Sequence, residues 1–438
     1  MIKIHPTIDF TARCPKDESE LEVKEVLIPG MRCLADVFCP TCSSRYYMDL
    51  PVSHALYHPV TLDLQTAEIY APKNIEWFSE PLRDSYLNPE LSTIIPKVHK
   101  FFETENILIL NCLDYLYGHS LLKLLNVQRY LEHNPELGCC VLVPTSLVHL
   151  VPVGVAEIWE FPISFKEGKK WYTHLQKWIK NQIENRQECY LSPAYSHPSH
   201  QIYDLDRFVH DLPDLSQELK EHEPIVLFSY REDRLWGKTV KSQERNIQRL
   251  YDQLGKIFPE IAFILVGFGS KNQFKSKGKK LIDLRIDKFD IEIDRKWLAY
   301  MQNTDCAIGV HGSNMLLPSG LSKSIVELVP RERLGNIYQD ILFPHDLSNI
   351  RDAFLRYRFI YGKNHLSDVT PENIIELFIS MYTYNQYNSC WFSFGENNQS
   401  VYDDIKSLDL VKIKNINNYL PPYVNKVFDK IKTSSAYY

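Results

Sequence analysis

From about residue 106 onward, apolar runs and amphipathic stretches take turns along the chain. ILILNCL is short and continuously apolar, the pattern of a strand buried on both faces of a parallel sheet. HSLLKLLNVQRYLEH follows with apolar residues at helical spacing, which predicts a helix. CCVLVP and VAEIWEF read as the next strands, and KKWYTHLQKWIKNQIENR predicts an amphipathic helix with Trp171, Leu175 and Ile179 on one face. The alternation resumes at PIVLFSY. It runs through a helix over SQERNIQRLYDQLGKIF, a strand AFILVGFG, a helix around DRKWLAYMQN, and strands DCAIGV and SIVELVP. Such alternation predicts an α/β protein with parallel sheets covered by helices.

Polar interruptions divide the pattern. SHPSHQIYDLDRFVHDLPDLSQELKEHEP is polar and carries prolines, and the domain joint is placed within it. The first hundred residues are rich in Pro, Tyr and His, with short runs such as EVLIP and PVTLDL, and predict an irregular β-rich extension. After about Pro344, NIRDAFLRYRFIY and ENIIELFISMYTY read as helical and aromatic. The expected layout is an extension over 1–105, a Rossmann-like domain over 106–215, a second over 216–345 and a helical segment over 346–438. Two such domains facing a cleft would hold a ligand outside the carboxyl ends of their strands.

Composition narrows the classes. A chain of 438 residues exceeds one ordinary core, and 44% hydrophobic with 24% charged residues describes a globular protein. Forty-nine basic against 55 acidic residues give a net charge of -6 with no long basic run, which argues against nucleic acid as the main partner. The start, MIKIHPTIDFTARCPKDESELEV, lacks the apolar region of a signal peptide, and the most apolar stretches are broken by Asp, His or Pro before reaching a membrane span. The expected place is cytoplasmic, with room for a peripheral association at the inner face of a membrane.

Ten cysteines at irregular spacing fit a reducing compartment better than a disulfide scaffold. Cys14, Cys33, Cys39 and Cys42 lie near the start, the last two in one CPTC. They are a weak candidate for a structural zinc site, since one CxxC with two scattered partners is an incomplete ligand signal. The commoner reading is thiols beside a tight Pro-Thr turn. Cys112, Cys139, Cys140 and Cys306 sit in apolar runs and read as core.

The sharpest chemical feature is the loop from Gly309 to Asn314, GVHGSN, at the end of a predicted strand. Glycine admits a phosphate close to the backbone, and N–H groups at a following helix start attract its charge. Ser313 and Asn314 could equally cap that helix. Capping does not account for His311 beside Gly312. Glu327 ends the next strand, either as an acceptor for ribose hydroxyls or as an ordinary strand residue. In VLFSYREDRLWGK a strand runs straight into Arg231, Asp233, Arg234 and Lys238. Arginine forks suit a diphosphate. A solvated Arg–Asp turn is the blander account, but both loops leave strands of one predicted sheet and so can converge on one ligand.

YREDR followed by SQERN, then GVHGSN and LPSGLSKSIVEL, in that order, resemble glycosyltransferase family 61. That group includes protein O-linked N-acetylglucosamine transferases and plant xylan-modifying transferases. LYGHSLLKLLNVQRY is similar to the family's upstream helix, with His119 in the His position. The resemblance covers roughly 106–330 and is strongest over 226–330. It departs where the family's Gly-Ala-Gly-Leu-Thr-Asn is a shorter Gly-Ser-Asn, and where Lys123 stands in place of an acidic residue.

The resemblance implies a GT-B fold and inverting transfer from a nucleotide sugar, with no cofactor or metal required. It points to Arg231, Arg234 and Lys238 against the diphosphate, with His311, Gly312, Ser313 and Asn314 at the donor. The acceptor would be a glycan or glycoconjugate hydroxyl; the start without a signal peptide separately fits surface-polysaccharide or glycoconjugate synthesis on the cytoplasmic side. Inverting transfer needs a base, for which His119 and Asp114 are the candidates. A lone His at a helix start is often only a cap. A non-catalytic nucleotide- or carbohydrate-binding protein and a GT-B-like epimerase remain alternatives. A phosphorylase would need a pyridoxal-phosphate lysine, for which no motif speaks.

Overall fold

The computed structural model describes residues 1–198, 203–271, 274–276, 280–342 and 355–392, and the chain divides into two compact units, Met1–His210 and Asp211–Tyr438. In the first unit, strand β1 (Ile2–His5) precedes five strands that form an antiparallel sheet of their own. These are β2 (Glu22–Leu27), β3 (Leu34–Phe38), β4 (Arg45–Asp49), β5 (Thr61–Asp63) and β6 (Ile69–Tyr70). Leu27, Leu34 and Leu62 from this sheet, with Val60 just before β5, pack with Phe78 and Leu82 of the helix Glu76–Leu87 and with Trp171.

Five further strands follow: β7 (Lys97–Lys100), β8 (Asn106–Asn111), β9 (Gly138–Pro144), β10 (Glu157–Phe161) and β11 (Glu188–Leu191). They form a second sheet with β1, in the order β1-β11-β8-β9-β10-β7. Its four inner strands are parallel and both edge strands antiparallel. β9 and β10 are buried along their whole length, as strands covered on two faces must be. Residues 1–105 are therefore not separate from the α/β layer, because β1 and β7 close its two edges.

The second unit holds β12 (Ile225–Tyr230), β13 (Ala262–Gly267), β14 (Lys280–Asp283), β15 (Cys306–Val310), β16 (Ile325–Pro330) and β17 (Tyr357–Gly362). Their order is β14-β13-β12-β15-β16-β17 and every pairing is parallel. Numbered from one, that is 3-2-1-4-5-6, the doubly wound order of nucleotide-binding domains. The inner strands of the first unit repeat its core as 3-2-1-4. The fold class is α/β with two Rossmann-like layers.

Two elements differ from expectation. HSLLKLLNVQRYLEH is two helices, Tyr117–Leu124 and Val127–His133. Buried Asn126 divides them, its amide donating to the carbonyls of Leu122 and Lys123 and so competing with a continuing backbone ladder. RYRFIY is not helical: β17 extends the second sheet, since its Tyr and Phe side chains cover a half-buried edge. The rest of 346–438 falls partly outside the described residues, apart from the helix Pro371–Phe392. Among the described residues no helix is long and apolar enough to cross a membrane.

Candidate functional site

The connections after β12 and β15 leave neighbouring strands in opposite lateral directions, which opens a crevice at their carboxyl ends. Arg231 and Arg234 follow β12; His311, Gly312, Ser313 and Asn314 follow β15. The structure brings these two sets together. Arg231 donates from Nη1 to Oδ1 of Asn314 at 2.5 Å, and Arg234 donates from Nη1 to the His311 carbonyl at 2.9 Å. Asn314 donates in turn to Ser229 Oγ on β12 at 2.9 Å, tying one loop to the other strand.

Gly312 stands under both guanidinium groups with φ 147°, where a Cβ would collide with Nη1 of each arginine. Glycine is required here for its conformation and for the space it leaves. Two cationic forks converge on one backbone turn, and an anion is the natural counterpart for that arrangement. Arg231 is partly neutralised by Asp233, its Nε lying 2.7 Å from Oδ1, and the same contact holds the Asp233 carboxyl below its usual range.

A layer beneath holds this turn. Gln243, fully buried on the helix Val240–Ile257, donates to the Arg231 carbonyl at 2.8 Å and accepts from the Trp236 amide at 2.9 Å. That helix begins with a reciprocal cap between Thr239 and Ser242 and buries Ile247, Leu250, Tyr251 and Leu254 on one face. His311 faces Glu327, with Nδ1 and Oε1 2.8 Å apart, and Tyr357 donates its hydroxyl to the other oxygen of Glu327. Glu327 is thus not placed as a ribose acceptor. Its carboxylate is fully buried and orients the imidazole. Ser313 opens a short 3-10 turn, while Lys238 lies exposed beyond Gly237, with no hydrogen bond or ion pair to the loop among the described residues.

The first unit has a crossing point of its own between β8 and β11. Asp114 follows β8 and is entirely buried, with Oδ2 2.8 Å from Lys123 Nζ and Oδ1 3.5 Å from His119 Nδ1. Burial resists its ionisation, but the buried Lys123 ammonium and His119 more than offset that, and the carboxyl is held well below the usual range. His54 Nε2 lies 3.0 Å from His119 Nδ1, and the His197 ring, which follows β11, is 5.7 Å from that of His119. Burial and the neighbouring His119 push His54 down to about 3, and the same two causes lower His197.

His119 and Asp114, both expected from sequence, are in contact; His54 and His197 were not expected. His54 arrives on a tight turn whose Ser53 amide donates to the Pro193 carbonyl at 2.7 Å, and no periodic signal marks it. Exposed Trp77 packs edge-on against His54, beside a hollow lined by Met31, Phe78, Tyr115 and Lys169. His54, Asp114 and His119 present three ligand atoms within 4.8 Å, close enough for a metal ion. The Lys123 ammonium on Asp114 opposes that, because a cation there would meet a like charge in a buried setting.

Of the four cysteines near the start, Cys33 stands apart. It is buried against Asn111, whose amide donates to its sulfur at 3.5 Å, and burial pushes its thiol up to about 11. Cys14, Cys39 and Cys42 converge instead with Asp17.

No protein-family model matches the chain. No curated protein matches it either. Among the solved structures that align with it are three glycosyltransferases. A family 9 glycosyl transferase from Veillonella parvula aligns at 10% identity over 65% of this chain and 99% of that one, with a TM-score of 0.42. The ADP-heptose LPS heptosyltransferase II of E. coli aligns at 12% identity over 64% and 99%, with a TM-score of 0.39. The E. coli heptosyltransferase WaaC with ADP aligns at 12% over 63% and 100%, with a TM-score of 0.40. Overlap this loose carries neither their fold nor their activity over to this chain, so the likeness to family 61 rests on the residues quoted for it.

Proposed function

We propose that the chain is an inverting, metal-independent glycosyltransferase of the GT-B type, using a nucleotide-sugar donor. The observation that carries this is the meeting of Arg231 and Arg234 over Gly312 at the crossing point of β12 and β15. Negative charge grows on the diphosphate as the glycosidic bond breaks, and preformed guanidinium donors stabilise it without reorganisation. His311, oriented by Glu327, and Asn314 complete the donor side.

In the first unit His119 is the base for the acceptor hydroxyl proton; an inverting transfer joins that hydroxyl oxygen to the anomeric carbon as the bond to the nucleoside diphosphate breaks on the opposite face. The Asp114 carboxylate stabilises the imidazolium that forms. His54, which stays neutral, adds no competing charge. Trp77 and Tyr115 line a hollow that offers a place for a glycan or glycoconjugate acceptor.

The test is a thermal-shift screen with UDP, GDP, CDP and ADP, followed by transfer and hydrolysis assays with sugars of the nucleotide that binds. A shift with one nucleotide and turnover of its sugar is expected. Tight binding without turnover identifies a non-catalytic binding protein, and no shift with any nucleotide overturns the donor site.

A further inference from the structure

A second constellation lies at one end of the five-stranded sheet. Cys14-Pro15-Lys16-Asp17 and Cys39-Pro40-Thr41-Cys42 are both Cys-Pro-x-ligand sequences. The structure folds them into the same turn. The Cys14 amide donates to the Ser19 carbonyl at 2.8 Å, and the Cys39 amide to the Ser44 carbonyl at 2.9 Å. The Glu18 amide returns to the Cys14 carbonyl at 3.0 Å, and the Ser43 amide to the Cys39 carbonyl at 2.9 Å. Each turn closes on a left-handed residue at the equivalent place, Glu18 with φ 60° and Ser43 with φ 57°. Neither is glycine, so each turn holds a strained conformation against its local preference.

The β2–β3 pairing sets the two turns side by side. Glu22 faces Phe38 at the end of the ladder, one turn just before β2 and the other just after β3. Four ligand atoms then lie within 4.8 Å of one another. Cys14 Sγ is 3.6 Å from Cys42 Sγ, and Cys39 Sγ is 3.5 Å from Asp17 Oδ2. Tetrahedral zinc with sulfur at about 2.3 Å sets neighbouring ligands about 3.5–3.8 Å apart. A disulfide needs about 2.05 Å.

The surrounding donors fit as well. The Cys42 amide points at Cys39 Sγ at 3.3 Å, and Ser19 Oγ lies 3.1 Å from the same sulfur. Ser19 also donates to Oδ1 of Asp17, which orients the carboxylate and leaves Oδ2 toward the thiols.

We propose that Cys14, Asp17, Cys39 and Cys42 form a structural zinc site that ties the open end of the β2–β3 hairpin. Three thiolates and a carboxylate are a zinc-type donor set, and a site closed by four protein ligands leaves no position for catalysis. The site is independent of sugar transfer. It replaces Cys33, one of the four cysteines grouped by sequence, with Asp17, because equivalence of the two turns rather than residue type selects the ligands.

The experiment is metal analysis of the full chain purified without chelator, paired with cobalt(II) substitution. About one zinc per chain is expected, and cobalt should give the intense visible bands of a tetrahedral thiolate site. Cys39→Ser and Asp17→Ala should lose zinc to a chelator that the unaltered chain resists. Asp17→Cys should keep it, and Cys33→Ser should retain full zinc. Since Cys39→Ser could fail to fold, the cobalt spectrum of the unaltered chain decides independently. Absence of metal and of the cobalt bands, a Cys14–Cys42 disulfide in the purified chain, or zinc lost with Cys33→Ser but kept with Asp17→Ala each overturns the site.

Discussion

The two Rossmann-like layers place polar side chains at equivalent points, the ends of strands that flank a reversal in strand order, yet they fill those points with opposite chemistry. After β12 and β15 the side chains are guanidinium groups closing over a glycine turn. After β8 and β11 they are imidazoles, held beside the buried Asp114–Lys123 pair. The first arrangement suits a fixed anion, since arginine keeps its charge at any working pH. The second suits a proton in transit, since a neutral imidazole can accept a proton at its free ring nitrogen. One topology thus offers the same address twice, and the residues that occupy it decide between holding charge and moving it.

The comparison predicts separable losses. His119→Gln should lower transfer by ~10²–10⁴-fold while leaving nucleotide affinity unchanged, as measured by calorimetry beside steady-state rates. A parallel fall in nucleotide affinity would mean the first unit is not the proton-moving half. Arg231→Ala should reduce kcat by about 10²–10³-fold and also weaken nucleotide binding, with the helical signal intact. Normal activity in that variant would remove the donor assignment.

Gly312→Ala should destabilise the protein by ~1–3 kcal/mol, because a side chain at φ 147° is strained and meets both arginines. An unchanged urea midpoint would show that the loop relaxes freely.

The first unit also predicts an effect of pH. His54 is held down to about 3, whereas an unfolded histidine titrates near about 6.5. The unfolded chain therefore binds a proton that the folded one refuses, and stability falls as pH drops from about 6.5 toward about 3. His197 acts in the same direction. His54→Gln should flatten the slope of urea midpoint against pH in that window; an unaltered slope would place the sensitivity elsewhere.

Much of the second unit was legible because its signals are local. PIVLFSY, AFILVGFG, DCAIGV and SIVELVP are apolar runs of strand length, and each became a strand of the parallel sheet. Arg231, Arg234 and the His311 loop could be paired in advance because neighbouring parallel strands end on one edge. RYRFIY is a strand rather than the expected helix, because a half-buried edge strand of tyrosine, phenylalanine and arginine carries no continuous apolar run. In the first unit, His119 and Asp114 were readable from their place after β8, but His54 and His197 come from a turn and from a segment read as linker.

The sequence by itself determined the alternation of strands and helices, the two α/β layers, and the loops that carry arginine, glycine and histidine, because hydrophobic period and turn chemistry act over a few residues. Tertiary structure alone decided that Glu327 serves His311 rather than a ribose, that Lys123 neutralises Asp114, and that Asp17 takes the place of Cys33 beside three thiols. Each of those choices depends on contacts between residues distant in the chain or on the shape of a turn. Residue type states what a side chain can do, and only packing fixes which partner it meets.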